Sequence, residues 1–407
     1  MLPLSIPFLV TFVLAVLGYF VARRRALSIA GGDIRTLTSL PHQHGLNTAL
    51  STLIPPLALM LVLAIAVRIA DRNDTTILPQ NPTFIYIVLI GLAATGFGLS
   101  LLRISTTFRA RTASEGWIIG LLIFASTIAI LTTLGIVLSM VSETINFFGQ
   151  YDFRDFFFST TWSPNFRGNS DLGIIPLLWG TLYISFIALL FAVPIGLFAA
   201  IYLSEYAGLR MRSVAKPMIE ILAGIPTIVY GLFALVTVGP LLRDHFAEPM
   251  GLGNSASSVM TAGLVMGIML IPFVSSLSDD IINAVPQSMR DGSLGLGATK
   301  SETIRQVVVP AALPGIVGAV LLAASRAIGE TMIVVLGAGA AARLSLNPFE
   351  AMTTVTVKIV SQLTGDTDFG SPETLVAFAL GLTLFVITLG LNVVALFIVR
   401  KYREQYE

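Results

Sequence analysis

The chain has 407 residues, of which 55% are hydrophobic and 12% charged, and its mean hydropathy is +0.86. Soluble domains carry about 25% charged residues, so the composition excludes a soluble globular domain or a disordered chain and reads as an all-α polytopic membrane protein. A net charge of +1 gives no broad basic field for nucleic acid. The lack of cysteine, with only His42, His44 and His245 as histidines, excludes disulfides and thiolate chemistry and argues against a Cys/His metal site.

A spanning helix needs about 20 mostly apolar residues. Nine spans are predicted, at about 2–22, 48–68, 83–102, 117–141, 176–204, 218–242, 257–278, 311–341 and 375–399. The first lacks a basic leader and a small-residue cleavage site and runs straight into Arg23, Arg24 and Arg25, so it reads as a retained helix rather than a signal peptide. Of the 24 Lys and Arg, sixteen fall on one set of alternate connections and six on the other. Basic residues favour the cytoplasmic side, so the N-terminus is expected outside and the C-terminus in the cytoplasm. Residues 1–112 form a three-span segment whose one interior charge, Arg68, sits near a span end and reads as snorkelling. Residues 113–407 form a six-span unit that begins and ends in the cytoplasm.

The external connection 142–175 is aromatic, with Phe147, Phe148, Tyr151, Phe153, Phe156, Phe157, Phe158 and Trp162. It reads as an interfacial belt or re-entrant segment, with a docking surface for an external partner as the alternative. Span six carries AGIPTIVYG, where Gly224, Pro226 and Gly231 interrupt a helix and free backbone groups. Thr227 and Tyr230 offer hydroxyls there, either to a pathway or to the kink itself. Glu220 stands at the cytoplasmic start of that span.

The cytoplasmic connection 279–310 reads as two short helices around a glycine bend, with Gly292, Gly295 and Gly297 interrupting it. Its Gly-Ala-Thr-Lys-Ser run at 297–301 fails as a nucleotide-binding loop, which needs Gly directly before Lys and a preceding strand. Span eight holds Arg326 and Glu330 in an otherwise uncharged stretch from Gln306 to Ala342. On a helix entering near Ala311, Arg326 lies about 22 Å along the axis, close to the bilayer midplane. Each such charge costs roughly 2.5–3.5 kcal/mol to insert. The i,i+4 spacing places both on one face, where they can pair, either as a clamp between helices or as part of a translocation pathway. No catalytic triad, carboxylate pair or metal cluster stands out.

These residues resemble a known family. Asp291-Gly292-Ser293 stands where ATP-binding-cassette importer permeases carry their EAA loop, Gly297 is the loop glycine, and Val307-Val308-Val309-Pro310 closes the pattern. ILAGIPTIVYGLFAL (221–235), WGTLYISF (179–186), SRAIGETMIVVLGAG (325–339) and LFVITLGLNVVAL (384–396) are similar to the PstC-type permeases of phosphate-specific importers. Their partner permeases continue the arginine segment as GETAP, so Glu330-Thr331-Met332 favours the PstC side. The resemblance covers residues 113–407 and leaves the first three spans outside it.

It implies a bacterial inner-membrane heterodimer with a second, PstA-type permease, two cytoplasmic ATPase subunits that use ATP and Mg, and an external phosphate-binding protein. This chain then binds no cofactor and is not itself an enzyme. The implied pathway residues are Arg326, Glu330, Thr331, Thr227 and Tyr230, with Glu330 tuning Arg326. The implied ATPase-coupling residues are Asp291, Gly292, Ser293, Gly297, Thr299, Glu302 and Pro310. A permease for another oxyanion such as molybdate or sulfate, or an ion-coupled secondary transporter, is the competing expectation.

Overall fold

The computed structural model describes residues 5–31, 33–72, 82–165, 170–365 and 370–403. Arg167 and the side chains of Arg68 and Arg72, which enter the charge count above, lie outside the described residues. Among the described residues, nine helices are long and apolar enough to cross a membrane, matching the predicted number. The chain folds as two compact units, Met1–Leu134 and Gly135–Glu407. Their division falls inside helix α4 (Ala110–Phe148), whereas the 112/113 boundary lies in its first turn.

The first unit is built on α1 (Ser5–Ile29), α2 (Pro41–Arg72) and α3 (Pro82–Leu102). Buried positions of α1 are Pro7, Thr11, Ala15, Gly18, Ala22 and Ala26, while Phe8, Phe12, Leu17 and Phe20 are exposed. The stripe recurs every three or four residues, but its members are small and the large apolar residues face outward. That inversion suits lipid, where helices gain by close backbone approach rather than by hiding leucines. Gly96 of α3 makes the point: a Cβ there would sit 2.2 Å from the Ser51 carbonyl oxygen of α2.

In the second unit, the aromatic connection folds on itself. Short helix α5 (Phe153–Phe158) and the hairpin of β1 (Trp162–Ser163) and β2 (Asp171–Leu172) follow α4. Phe147 and Phe156 are fully buried in a cluster with Leu172, Ile174, Leu177, Val355 and Leu375. The Tyr151 hydroxyl accepts the Leu172 N–H at 3.0 Å, tying α4 to the hairpin. Most of these aromatics therefore form a small packed core, with Phe153 and Phe158 left exposed.

The main core pairs α6 (Ile175–Ile201) with α10 (Val259–Ala284). Gly263 and Gly267 lie against Ile187 and Ala188, so the two backbones meet across small residues. After a π-type turn at Tyr202–Tyr206 comes the amphipathic helix α7 (Leu209–Ala223), then α8 (Thr227–Phe233) and the short α9 (Gly239–Leu242). Beyond α10 lie α11 (Gln287–Gly295), α12 (Lys300–Thr303), α13 (Val309–Ile328), α14 (Met332–Gly337), α15 (Val355–Gly365) and α16 (Pro372–Arg403).

Three predicted boundaries move. Span six starts at Thr227 rather than near 218, because α7 is a separate helix. Span eight stops at Ile328 rather than continuing to 341. The cytoplasmic connection contracts from 279–310 to 285–299, because Asp279 belongs to α10 and α12 runs through a π-type turn into α13. Charged residues mark where lipid ends, not where helices end, and here helices continue past the charges at both sides.

Asp279 shows how such a charge is held. Its side chain is 2% exposed and accepts from Arg212 Nη2 at 3.1 and 3.0 Å, Lys216 Nζ at 2.8 Å and Asn283 Nδ2 at 2.9 Å. The Asp279 hydrogen bond holds the Lys216 ammonium pKa above its ordinary value. Stranding a buried carboxylate costs about 3–5 kcal/mol. The double variant Arg212→Ala/Lys216→Ala is therefore expected to lower the thermal midpoint of the purified protein far more than Asp279→Asn. Equal midpoints for the two would show that the cluster does not hold α7 to α10.

Candidate functional site

Two of the long apolar segments are interrupted, and both interruptions are capped by side chains. In span six, α7 ends at Ala223 and α8 begins at Thr227. Pro226 has no N–H to donate and disfavours helical backbone at Ile225. The Tyr230 hydroxyl donates to the Leu222 carbonyl at 2.8 Å, across the interruption. Tyr230 is itself buried in the main core, so its hydroxyl serves the kink. Thr227 is half-buried at the first position of α8.

In span eight, α13 ends at Ile328 and α14 starts at Met332. Glu330 Oε1 accepts the N–H groups of Thr331, Met332 and Ile333 at 3.1, 3.0 and 3.4 Å. A carboxylate on the free N–H groups of a helix start is a favourable arrangement. Thr331 is half-buried in the same interruption, and the Thr356 hydroxyl donates to the Glu330 carbonyl at 2.8 Å.

The expected Arg326–Glu330 pair is not formed. The i,i+4 rule holds only inside one helix, and the chain leaves the helix between the two residues. Arg326 sits in the last turn of α13, exposed on this chain, with its guanidinium carbon 5.5 Å from the centre of the Phe273 ring. It is absent from every ion pair among the described residues. A guanidinium stacked on a ring and unclaimed by a carboxylate keeps its planar fork of donors for an oxyanion.

The interruptions are brought together by α8 and α14. A Cβ on Gly231 would sit 2.8 Å from the Met332 carbonyl oxygen, and one on Gly337 3.0 Å from the Ala234 Cβ. So the elements carrying Thr227, Tyr230, Glu330 and Thr331 converge, while Arg326 stands apart from Glu330 across Gly329.

The second candidate region follows the predicted pattern of two short helices around a glycine bend. Helix α11 carries Asp291, whose Oδ1 accepts from Gln287 Nε2 at 3.1 Å, and the exposed Gly292. Gly297 turns the chain at φ +90°, in the left-handed region. Thr299 and Glu302 then cap α12 reciprocally: the Thr299 N–H donates to Glu302 Oε2 at 2.8 Å, and the Glu302 N–H to Thr299 Oγ1 at 3.3 Å. Ser293 Oγ and Thr303 Oγ1 lie 2.9 Å apart, closing the bend. Pro310 is the second residue of α13, directly after the π-type turn at Ile304–Val308.

Sequence reasoning missed the residue that anchors this bend. Arg290 donates to Glu205 Oε1 at 2.9 Å and to the carbonyls of Ile282 (2.8 Å) and Val285. Its side chain and that of Glu205 are 13% and 11% exposed. Arg290 thus ties α11 to the C-terminal end of α10 and to the turn after α6. A cleft of about 450 Å³ opens beside it, lined by Ser204, Glu205, Gln287, Leu294 and Lys300 among others.

Comparison with known proteins gives a consistent picture. A family described as binding-protein-dependent transport system inner membrane component matches residues 192–404. A second, described as phosphate ATP-binding cassette transporter, matches residues 8–81. Helices α1 and α2, left outside the PstC-type resemblance, therefore carry a family pattern of their own.

The phosphate transport system permease protein PstC of Haemophilus influenzae is 34% identical over 315 residues, covering 74% of this chain and 95% of that protein. The PstC of Mesorhizobium japonicum is 32% identical over 292 residues, 68% of this chain and 88% of that protein. The probable ABC transporter permease protein YqgH of Bacillus subtilis is 33% identical over 268 residues, 66% and 83% of the two chains. Among solved structures, a bacterial ABC transporter involved in import of the acidic polysaccharide alginate shares the fold. It has a TM-score of 0.50 and 15% identity over 73% of this chain and 99% of that chain.

The bend makes its own prediction. No atom outside the immediate chain lies within 4 Å of a Cβ built on Gly297, so a side chain there meets open space and the penalty is conformational. Gly297→Ala and Gly297→Trp are expected to lose a similar 1–2 kcal/mol or so, the cost of left-handed backbone, whereas Gly297→Asn is tolerated. Limited proteolysis of the 285–299 connection reads this out. A Trp variant cleaved much faster than the Ala variant would show that space, not φ, is limiting.

Proposed function

We propose, from the premise that this chain belongs to the inner-membrane components of binding-protein-dependent transport systems, that it is the PstC-type permease of an ATP-driven phosphate importer. The observation that carries this reading is Arg326: a guanidinium free of carboxylates, placed at a helix interruption within an apolar span. Phosphate is a strongly hydrated anion, and moving it through a membrane requires charged donors to replace its water. The PstC relatives are phosphate transport system permeases, which favours phosphate over molybdate or sulfate as the oxyanion. A secondary transporter is set aside by the family, whose transport draws on separate ATPase subunits.

In this reading the chain is a channel subunit and not an enzyme. It pairs with a second permease, receives phosphate from an external binding protein, and docks α11 and the Gly297 bend into one of two cytoplasmic ATPase subunits, which use ATP and Mg. Asp291, Gly292 and Ser293 present the docking face; Thr299, Glu302 and Pro310 fix the angle at which the movement enters α13. Residues 1–112 are an accessory segment, and 113–407 the permease proper.

Glu330 acts differently from a partner that tunes the arginine. It pins the start of α14, so that the interruption keeps its shape when the anion arrives or leaves. Arg326→Lys keeps the charge but loses the fork. It is expected to cut phosphate uptake per assembled complex by about tenfold, the worth of one charged hydrogen bond. Glu330→Ala leaves the N–H groups of Thr331, Met332 and Ile333 without their carboxylate acceptor, and is expected to reduce the amount of complex recovered more than the rate per complex. Uptake at the wild-type rate by Arg326→Lys, in fully assembled complex, would remove Arg326 from the pathway.

The chain is an inner-membrane component, with its N-terminus outside and its C-terminus in the cytoplasm. Reporter fusions after Arg25, Arg111, Arg212, Ser301 and Glu407 are all expected to report cytoplasm. An external signal at Ser301 would place the bend on the wrong side for an ATPase and overturn its coupling role.

A further inference from the structure

Besides the exposed Arg326, a part-buried cation of this unit also lacks a carboxylate partner among the described residues. Lys358 lies on α15, half-buried, and takes part in no ion pair among the described residues. Its Nζ donates to the Ala340 carbonyl at 3.1 Å, just beyond the C-terminal end of α14. Two residues earlier, Thr356 donates to the Glu330 carbonyl at the other end of α14. The first turn of α15 therefore straddles α14, holding Lys358 at its outer end while Arg326 lies across the interruption at its inner end. Between residues 309 and 365 the basic residues are Arg326, Arg343 and Lys358, and Arg343 is exposed.

We infer that Lys358 is a second anion-contacting residue, which takes phosphate at the external end of α14 and passes it along that helix towards Arg326. The inference rests on the phosphate-permease reading above. The chemistry suits a hand-over. An ammonium on a flexible stem is a compact charge that reorients easily, whereas the arginine fork holds an oxyanion in fixed geometry. One carbonyl bond leaves two ammonium donors for a ligand. Burial pushes the Lys358 pKa below its ordinary value, as expected for a charge left without a counter-ion. A plain structural role is the competing explanation, since a cation near the last carbonyls of a helix also stabilises its end.

Chemical restoration of the charge separates the two: this chain has no cysteine of its own, and the wild-type complex treated with the same reagents reports any effect from thiols elsewhere. In the full complex reconstituted in liposomes with its loaded binding protein, Lys358→Cys is expected to lower phosphate uptake per assembled complex about tenfold, the worth of one charged hydrogen bond. Treatment with 2-aminoethyl methanethiosulfonate, which rebuilds a lysine-length ammonium, is expected to recover most of the rate. The neutral hydroxyethyl reagent is expected to recover little.

Unchanged uptake in Lys358→Cys, or equal recovery with both reagents, would overturn the inference while leaving the phosphate reading intact. Failure of both Lys358→Cys and Lys358→Met to assemble would make the residue a strut and overturn it likewise. A wild-type complex that takes up no phosphate in the same liposomes would instead defeat the parent reading, and this inference with it.

Discussion

A backbone group that leaves its helix inside a membrane has no water to turn to, and an unsatisfied one costs several kcal/mol. Among the described residues, helices break at 224–226, where span six begins, and at 329–331, in the apolar stretch that follows α13. At the first, a tyrosine hydroxyl reaches back to the Leu222 carbonyl, which also accepts the Ile225 N–H at 3.4 Å. At the second, the Glu330 carboxylate gathers three N–H groups at the start of α14. Much else follows from those two repairs. Tyr230 must be buried to reach its carbonyl, α8 and α14 must lie close, and Gly231 must lack a side chain because the Met332 carbonyl occupies that space.

The same repairs decide which charge is left without a carboxylate partner. A carboxylate occupied by three backbone donors is not free to neutralise a neighbouring guanidinium, and Arg326 accordingly rests on the Phe273 ring. Had span eight remained one helix, the i,i+4 pair would have closed and the arginine would have been less available to an anion. The interruption at Gly329 is what keeps Arg326 out of an internal salt bridge with Glu330. Insertion of such a charge is costly, and its retention at this point is readily understood if it serves a ligand.

At the end of α10 that leads into α11, polar contacts take over from apolar packing. Arg290 fastens α11 to the end of α10 and to Glu205, and one turn back along α10 Asp279 fastens α7 through Arg212 and Lys216. Helix α7 leads directly into the 224–226 interruption. The Gly297 bend is therefore joined through short polar links to α7, the element that leads into span six. Movement of α11 as a body with the end of α10 is the mechanical consequence, because each link has little slack.

The sequence alone determined the class, the number of spans and the two-helix bend around Gly297, and it singled out Arg326 as a cation within an apolar stretch. Each of these depends on local properties: runs of apolar residues, the freedom of glycine at positive φ, or a charge whose cost is independent of its neighbours. The loss of the Arg326–Glu330 pair was decided only by tertiary structure, since Thr356 and the packing of α8 on α14 fix where span eight opens. Arg290–Glu205 and Asp279–Arg212 were likewise invisible, their partners lying 85 and 67 residues apart with no periodicity to announce them. Helix ends were misjudged for one reason throughout. Charge marks the limit of the lipid, whereas a helix ends where its backbone finds other partners, and that is decided in three dimensions.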